Sequence, residues 1–337
     1  MTRDALKTLF HPFDTGDLAL PASNASVLFV NAEPGILPLE GFPGAIHCVQ
    51  GFRPDFLRLK VAHPDVEQFA PEGPFDLALV LAGRHRGANE LNLAAALERV
   101  AEGGLIVVAG AKDDGIQSLR KRAGAAVEID GSLSKHHGIA FWFRRPADGG
   151  CIAAAFKADN PAVLVDGRFQ TAPGMFSFDR VDPASLMLAE SLPVDMKGTV
   201  ADFCAGWGYL AARIAEFAGV KNVDLYEADF ASLEAARMNV AGLRPEFGFH
   251  WHDLLSEPVT ARYDAIVMNP PFHEGRASDP SLGQGMIKAA ATALKKGGKL
   301  YMVANRRLPY EATLSTHFSD FAEIAGNGAF KVFAARR

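Results

Sequence analysis

The sequence predicts two tandem α/β domains, each built on a mostly parallel sheet flanked by helices, and three observations carry that reading. The first is a repeated strand. Phe75-Asp76-Leu77-Ala78-Leu79-Val80 and Tyr263-Asp264-Ala265-Ile266-Val267-Met268 each place an aromatic-Asp pair ahead of an apolar run, the pattern of a strand buried on both faces. The second is a shared succession of elements after each run. A loop comes first, Gly83-Arg84-His85-Arg86-Gly87 in one copy and Pro271-Phe272-His273-Glu274-Gly275 in the other, with a His and a Gly at matching offsets. An Ala/Leu-rich helical stretch then leads to a double glycine and a new apolar strand: Gly103-Gly104-Leu105-Ile106-Val107-Val108 and Gly297-Gly298-Lys299-Leu300-Tyr301-Met302-Val303. The third is Arg144-Arg145-Pro146-Ala147-Asp148-Gly149-Gly150, whose composition favours a loop. The expected domains are therefore residues 1–150 and 151–337.

The 337 residues, 49% hydrophobic and 22% charged, supply enough apolar surface for two cores of ordinary size. Met1-Thr2-Arg3-Asp4-Ala5 leads into polar and aromatic positions without an apolar signal core, and no apolar run approaches the roughly 20 residues that span a bilayer. The expectation is a cytoplasmic protein with no membrane partner. Cys48, Cys151 and Cys204 lie far apart with neither paired nor metal-ligand spacing, which argues against a disulfide framework and a zinc site. His250 and His252 share one face of a strand, but with no third ligand in register they read as packing or surface histidines, and no metal is expected. A formal net charge of -5 gives no overall sign of nucleic-acid binding. Basic clusters such as Arg84-His85-Arg86, Arg120-Lys121-Arg122, Lys135-His136-His137 and Arg306-Arg307 matter only if folding gathers several on one face.

Thr199-Val200-Ala201-Asp202-Phe203 reads as a buried strand, Cys204-Ala205-Gly206-Trp207-Gly208 as a small-residue turn, and Tyr209 to Phe217 as a helix. Strand, glycine turn and helix N-terminus form the crevice where an open α/β sheet lets backbone approach a nucleotide-like ligand. The next strand, Val223-Asp224-Leu225-Tyr226, ends at Glu227, where such domains place an acidic residue on ribose hydroxyls. The full Gly-x-Gly-x-x-Gly spacing that meets a pyrophosphate is missing, which favours a nucleoside without phosphate over NAD. Asp253 comes after the third strand, Gly248 to His252. It is placed either to receive an adenine amino group or to cap the turn before Leu254-Leu255.

Asn269-Pro270-Pro271-Phe272 leaves the repeated strand directly, at the sheet edge where α/β folds hold ligands. Two prolines stiffen the backbone and remove two amide donors, leaving carbonyl oxygens to face whatever enters. Such a loop accepts hydrogen bonds, which suits a planar amino group. With Asn269 Oδ1 and the Pro270 carbonyl taking its two N–H bonds, an exocyclic nitrogen turns its lone pair towards an electrophilic methyl. Phe272 is placed to stack on the target ring.

These residues resemble the class I methyltransferases of the Asn-Pro-Pro-Phe type, and within them the ribosomal RNA guanine-N2 methyltransferases similar to RsmC and RlmG. The resemblance covers most of the chain. Gly174-Met175-Phe176-Ser177-Phe178-Asp179, Asn269 to Gly275, Val303 to Tyr310 and the ending Phe330-Lys331-Val332 carry it. It implies a Rossmann-like fold with seven-stranded-type sheets, S-adenosyl-L-methionine as cofactor, and small-subunit ribosomal RNA or the assembled small subunit as partner. It also implies a cofactor site of Gly174, Phe176 and Ser177 over the methionine end, with Asp202, Cys204, Gly206, Gly208, Glu227, Asp253 and Asn269 below and beside it. Asn269, Pro270 and Phe272 are the implied catalytic residues, and His273 either shapes the base pocket or supports the loop.

In that family the N-terminal domain is a degenerate copy of the catalytic one. Here Leu81-Ala82-Gly83-Arg84 stands opposite Asn269-Pro270-Pro271-Phe272, and no Gly-x-Gly turn comes after Val27-Leu28-Phe29-Val30, so the first domain is expected to be inactive and to hold RNA. Cys204 replaces the usual first glycine of the cofactor turn and Trp207 sits between the remaining two, which reduces backbone freedom and adds a large ring. Rival readings are methylation of adenine N6 or of a protein glutamine by the same loop, and a catalytically silent RNA-binding or ribosome-assembly factor. An NAD-dependent oxidoreductase fits Glu227 but leaves Asn269-Pro270-Pro271-Phe272 unexplained.

Overall fold

A computed structural model of the chain describes residues 3–35, 41–271, 273–274, 277–278 and 280–337. The chain divides into two compact units, Met1–Ala162 with Ala172–Gly174, and Val163–Thr171 with Met175–Arg337.

In the first unit, β1 (Ser26–Val30), β2 (Ala45–Val49), β3 (Phe75–Leu81), β4 (Val100–Ala111), β5 (Gly131–Lys135) and β6 (Gly138–Arg144) form a sheet in the order β2-β1-β3-β4-β6-β5. The first four run parallel, and β6 runs antiparallel to both β4 and β5. Among the described residues five α-helices accompany them: α1 (Asp4–Asp14), α2 (Arg53–Ala62), α3 (Arg86–Arg99), α4 (Ile116–Gly124) and α5 (Gly149–Asp159). Ile152, Ala153 and Phe156 of α5 join Leu93 and Leu97 of α3 in one core over Leu28, Val30, Ala78 and Val80, so this unit continues through to Ala162.

The second unit carries β9 (Lys197–Phe203), β10 (Gly219–Glu227), β11 (Glu246–Trp251), β12 (Tyr263–Met268), β15 (Leu294–Asn305), β16 (Asp320–Gly326) and β17 (Phe330–Arg336) in the order β11-β10-β9-β12-β15-β17-β16. Strands β9 to β12 and β15 are parallel and β17 is antiparallel to both neighbours. Two small hairpins, β7 (Val163–Val165) with β8 (Phe169–Thr171) and β13 (His273–Glu274) with β14 (Ala277–Ser278), lie outside the main sheet. The helices are α6 (Pro183–Glu190), α7 (Tyr209–Ile214), α8 (Phe230–Asn239), α9 (Pro280–Ala293) and α10 (Glu311–His317). Alternation along each strand sends Val200, Val223, Leu225 and Val267 into one core and Ala201, Phe203, Ile266 and Met268 into another on the opposite face. Among the described residues, no helix is long and apolar enough to cross a membrane.

The repeat is visible in detail. Asp76 Oδ2 accepts the Ser26 amide at 2.8 Å, and Asp264 Oδ2 accepts the Thr199 amide at 2.9 Å, so the same carboxylate pins the start of the neighbouring strand in each unit. The ladder to the next strand slips at the same place, between Phe75 and Leu77 and between Tyr263 and Ala265. Gly103 and Gly297 carry φ of 75° and 78°, a left-handed turn that glycine adopts without steric cost. One difference separates the two sheets. The first sheet has six strands among the described residues, and where β11 flanks β10 in the second unit, β2 meets only an isolated bridge between Val49 and Glu67. The bridge is closed by Gln50 N to Glu67 O at 2.9 Å and Glu67 N to Cys48 O at 3.0 Å.

Candidate active site

β9 ends at Phe203, and the chain turns through Cys204 to Gly208 into α7. Cys204, Gly206 and Gly208 all lie in the left-handed region, at φ of 61°, 54° and 88°. At Gly208 a side chain would also stand 3.0 Å from Ala236 Cβ and 3.1 Å from its Cα, so glycine is required twice over. Cys204 adopts the conformation a glycine would hold without strain, at a cost of about 1–2 kcal/mol. Trp207 is buried against Phe169 and Tyr209, with ring centroids 5.2 and 5.9 Å away, and its indole N–H donates to the Phe176 carbonyl at 2.8 Å.

Two carboxylates meet this turn. Glu227, at the end of β10, accepts the Gly206 amide at 2.7 Å on Oε2 and the Asp229 amide at 2.9 Å on Oε1. Burial pushes its carboxyl up to about 7, against the pull of those amides. Asp202, near the end of β9, is 0% exposed; neither carboxylate oxygen meets full hydrogen-bond geometry among the described residues, and the Ala211 backbone amide is the donor that faces it. Burial first, and the Glu227 charge besides, hold it well above the usual carboxylate range.

Asn269 comes directly after β12. Its Nδ2 donates to Asp182 Oδ2 at 3.0 Å and to Ser185 Oγ at 2.8 Å. Asp182 is at the same time the N-cap of α6, accepting the Ser185 amide at 2.8 Å, with Pro183 at the first helical position. Pro270 is buried and Pro271 exposed. Phe272 lies outside the described residues, and His273 is described only as backbone in β13.

A narrow cleft joins Phe176, Cys204, Gly206 and Asn269, all expected from the sequence, and Trp207, whose ring was placed in the turn, to Asp182, Ser185 and Tyr209, which were not expected. Asp182-Pro183-Ala184-Ser185 carries a helix-start signature that could have drawn attention to the pair. Of the remaining expected residues, Gly174 has φ of 111° and belongs to the first compact unit. Ser177 is left-handed at φ 49°, and its hydroxyl donates to the Arg180 carbonyl at 2.8 Å within its own turn. Phe176 is 59% exposed, a large ring free for contact. Asp253, after β11, accepts the Leu255 amide at 3.0 Å and the Ser256 hydroxyl, so its carboxylate already holds the adjoining turn. His250 stacks on Tyr226 at 4.4 Å and faces Asp224 at 3.6 Å, while His252 Nε2 pairs with the Glu257 carbonyl at 3.0 Å. No group of three candidate metal ligands occurs among the described residues. A larger depression, about 760 Å³, opens at the other ends of β10 and β11 around Lys221, Arg244 and Phe247. It lies at the strand ends away from the glycine turn and Asn269.

A glycine turn, a carboxylate at the next strand end and an amide-bearing loop at the strand end on the other side define an open α/β site for a nucleoside-bearing ligand. A family profile described as the methyltransferase small domain matches residues 166–334, and the chain belongs to that family. It is 34% identical over 172 residues to the ribosomal RNA small subunit methyltransferase C of Serratia proteamaculans, covering 51% of this chain and 49% of that protein. It is 35% identical over 170 residues to the protein of the same name from Salmonella newport, covering 50% and 49%. The chain thus matches about half the length of these curated relatives. A solved structure, the T. thermophilus 16S rRNA N2 G1207 methyltransferase (RsmC) in complex with AdoMet and guanosine, superposes with a TM-score of 0.78 at 26% identity, over 99% of this chain and 91% of that one.

Proposed function

We propose that the chain is a cytoplasmic S-adenosyl-L-methionine-dependent methyltransferase that acts on an exocyclic amino nitrogen, guanine N2 of small-subunit (16S) ribosomal RNA. The second unit, within the 151–337 expected from the sequence, carries the chemistry; the first, which runs on past residue 150 to Ala162, is a degenerate copy that holds RNA and supports the catalytic domain. The observation that carries this reading is Asn269, set at the edge of the glycine-turn cleft with its N–H side engaged and its Oδ1 left as an acceptor. Similarity to the ribosomal RNA small subunit methyltransferases supports the ribosomal RNA assignment, and guanosine bound to the T. thermophilus protein supports guanine.

The residues present fit the cofactor. Asp202 is a fully buried carboxyl held well above the usual carboxylate range, so a ligand cation nearby would favour its ionised form. The space where a Gly206 side chain would stand is empty, leaving room for a ligand against the turn. Gly206, Gly208 and Cys204 would line the cofactor, Glu227 would take its ribose hydroxyls, and Phe176 would cover it. When bound, S-adenosyl-L-methionine supplies a methyl group activated by a positively charged sulfonium. Asn269 Oδ1 and the Pro270 carbonyl accept the two N–H bonds of the target nitrogen and turn its lone pair towards that methyl. They also stabilise the positive charge that develops as the nitrogen is alkylated. Phe272 stacks on the base.

The test is to incubate the purified protein and labelled cofactor with small subunits from cells lacking the gene, then map the label. One methyl on one guanine N2 is expected. Label on adenine N6, or none despite cofactor binding, would overturn the assignment.

A further inference from the structure

We propose that Asp182 and Ser185 are positioning residues that fix which edge of the Asn269 amide faces the substrate; this rests on the reading of Asn269 as the acceptor for the target amino group. A primary amide is almost symmetric in shape, with an acceptor oxygen on one side and two N–H donors on the other. Rotated by half a turn, Asn269 would set its own N–H groups against those of the substrate, and binding would become repulsive.

The surroundings allow one orientation. Asp182 Oδ2, 3.0 Å from Nδ2, belongs to a carboxylate that only accepts when ionised, so a flipped amide would place oxygen against oxygen. Ser185 Oγ, 2.8 Å away, takes the second N–H. With both donors used, Oδ1 is the part of the side chain left for the substrate.

The clamp is itself held. Asp182 Oδ2 also accepts the Ser185 amide at 2.8 Å, and Pro183 presets the backbone of the first helical turn. The first turn of α6 therefore sets the distance between the two acceptors, and Ser185 is buried at 8% exposure. Acceptor geometry is built before substrate arrives, which is where electrostatic preorganisation gives its benefit.

Asp182→Asn is the discriminating variant. Asparagine caps a helix about as well as aspartate, so folding is retained, but its amide can offer either oxygen or N–H to Asn269 and no longer forces the choice. We expect kcat on small subunits to fall by about ten-fold or more. KM and the cofactor Kd should stay within about two-fold, and Tm should not move. Ser185→Ala should lower kcat in the same selective way, and Ser185→Thr, which keeps the hydroxyl, should restore it.

A second measurement needs no turnover. With asparagine selectively 15N-labelled, the Asn269 side-chain NH2 signal, identified by its loss in Asn269→Asp, should exchange slowly in the native protein and rapidly in Asp182→Asn. Native kcat and slow exchange in Asp182→Asn would overturn the proposal, as would a fall in kcat that merely tracks lost Tm in both Asp182→Asn and Ser185→Ala. A native protein that protects this amide yet methylates no RNA refutes the proposed function and leaves the clamp standing.

Discussion

If Glu227 takes the cofactor's ribose hydroxyls as proposed, cofactor affinity should depend on pH. Its carboxyl is pushed from an ordinary value of 4.5 to about 7, chiefly by burial, so in the free protein it is about half protonated at neutrality. Ribose hydroxyls donate best to the ionised form. At about pH 6, one unit below the midpoint, only about a tenth of the molecules are ionised, and affinity should be about ten-fold weaker than at about pH 8. The cofactor in turn lowers the pKa, so binding near neutrality releases a proton. Folding runs the opposite way. A carboxyl whose pKa is raised in the folded state binds its proton more tightly there than in the unfolded chain. Its contribution to stability is therefore complete below about pH 4.5 and is lost as pH rises through about 7. From 4.5 to about 7, at roughly 1.4 kcal/mol per unit, the ceiling is about 3 kcal/mol, and partial exposure of the residue lowers it. The free protein should thus lose stability from mildly acidic to mildly alkaline pH while the increase in Tm caused by the cofactor grows. Calorimetry from about pH 5.5 to 8.5, in buffers of different ionisation enthalpy, reads both affinity and proton release. Glu227→Gln should bind more weakly and flatten the profile. A pH-independent Kd in the native protein refutes the reasoning, and an unchanged profile in Glu227→Gln assigns the titration to Asp202 instead.

Asn269→Ala should lower kcat by about two to three orders of magnitude, the scale of losing one donor or acceptor aimed at developing charge, with cofactor affinity nearly intact by calorimetry. Cys204→Val puts a β-branched residue at a φ of 61° and should reduce stability by about 1–2 kcal/mol in thermal melts, whereas Cys204→Gly relieves the backbone and should not. Trp207→Ala removes a ring that is 4% exposed and should cost about 3–5 kcal/mol. Trp207→Phe keeps most of the packing, loses the bond to the Phe176 carbonyl and should cost about 1 kcal/mol.

The period of the fold could be read because its signals are local. An aromatic-Asp pair, an apolar run and a double glycine lie within one βα unit, and the structure gives the first pair a purpose in the amides held by Asp76 and Asp264. The glycine turn could be read for the same reason, and Cys204 shows its departure as a left-handed backbone angle. Asp182 and Ser185 could not be assigned, because their partner Asn269 is 87 and 84 positions away and nothing in a single sequence reports such a contact. Their helix-start pattern marks a cap and does not say what else the cap holds. Lys135-His136-His137 reads as a basic cluster, but His136 and His137, at φ of 48° and 58°, form the two-residue turn between β5 and β6 without the Asn-Gly that usually announces one. Two other cationic clusters are partly spent internally: Arg306 pairs with Glu323 at 2.6 Å, and Arg122 with Asp159.

The lone bridge at Glu67 bears on engineering. In the second unit, β11 lies beside β10 and carries the chain on to Asp253, so the outermost strand is the scaffold for whatever meets the far end of a nucleoside. Among the described residues the first unit has only Val49 paired with Glu67 at that position. Transplanting a glycine turn after β1 and an Asn-Pro-Pro-Phe loop after β3 would therefore furnish a second active site on two sides and leave it open on the third. Building a site into the first unit is a problem of rebuilding a sheet edge, with a strand's worth of backbone pairing to recover before any side chain can be placed on it.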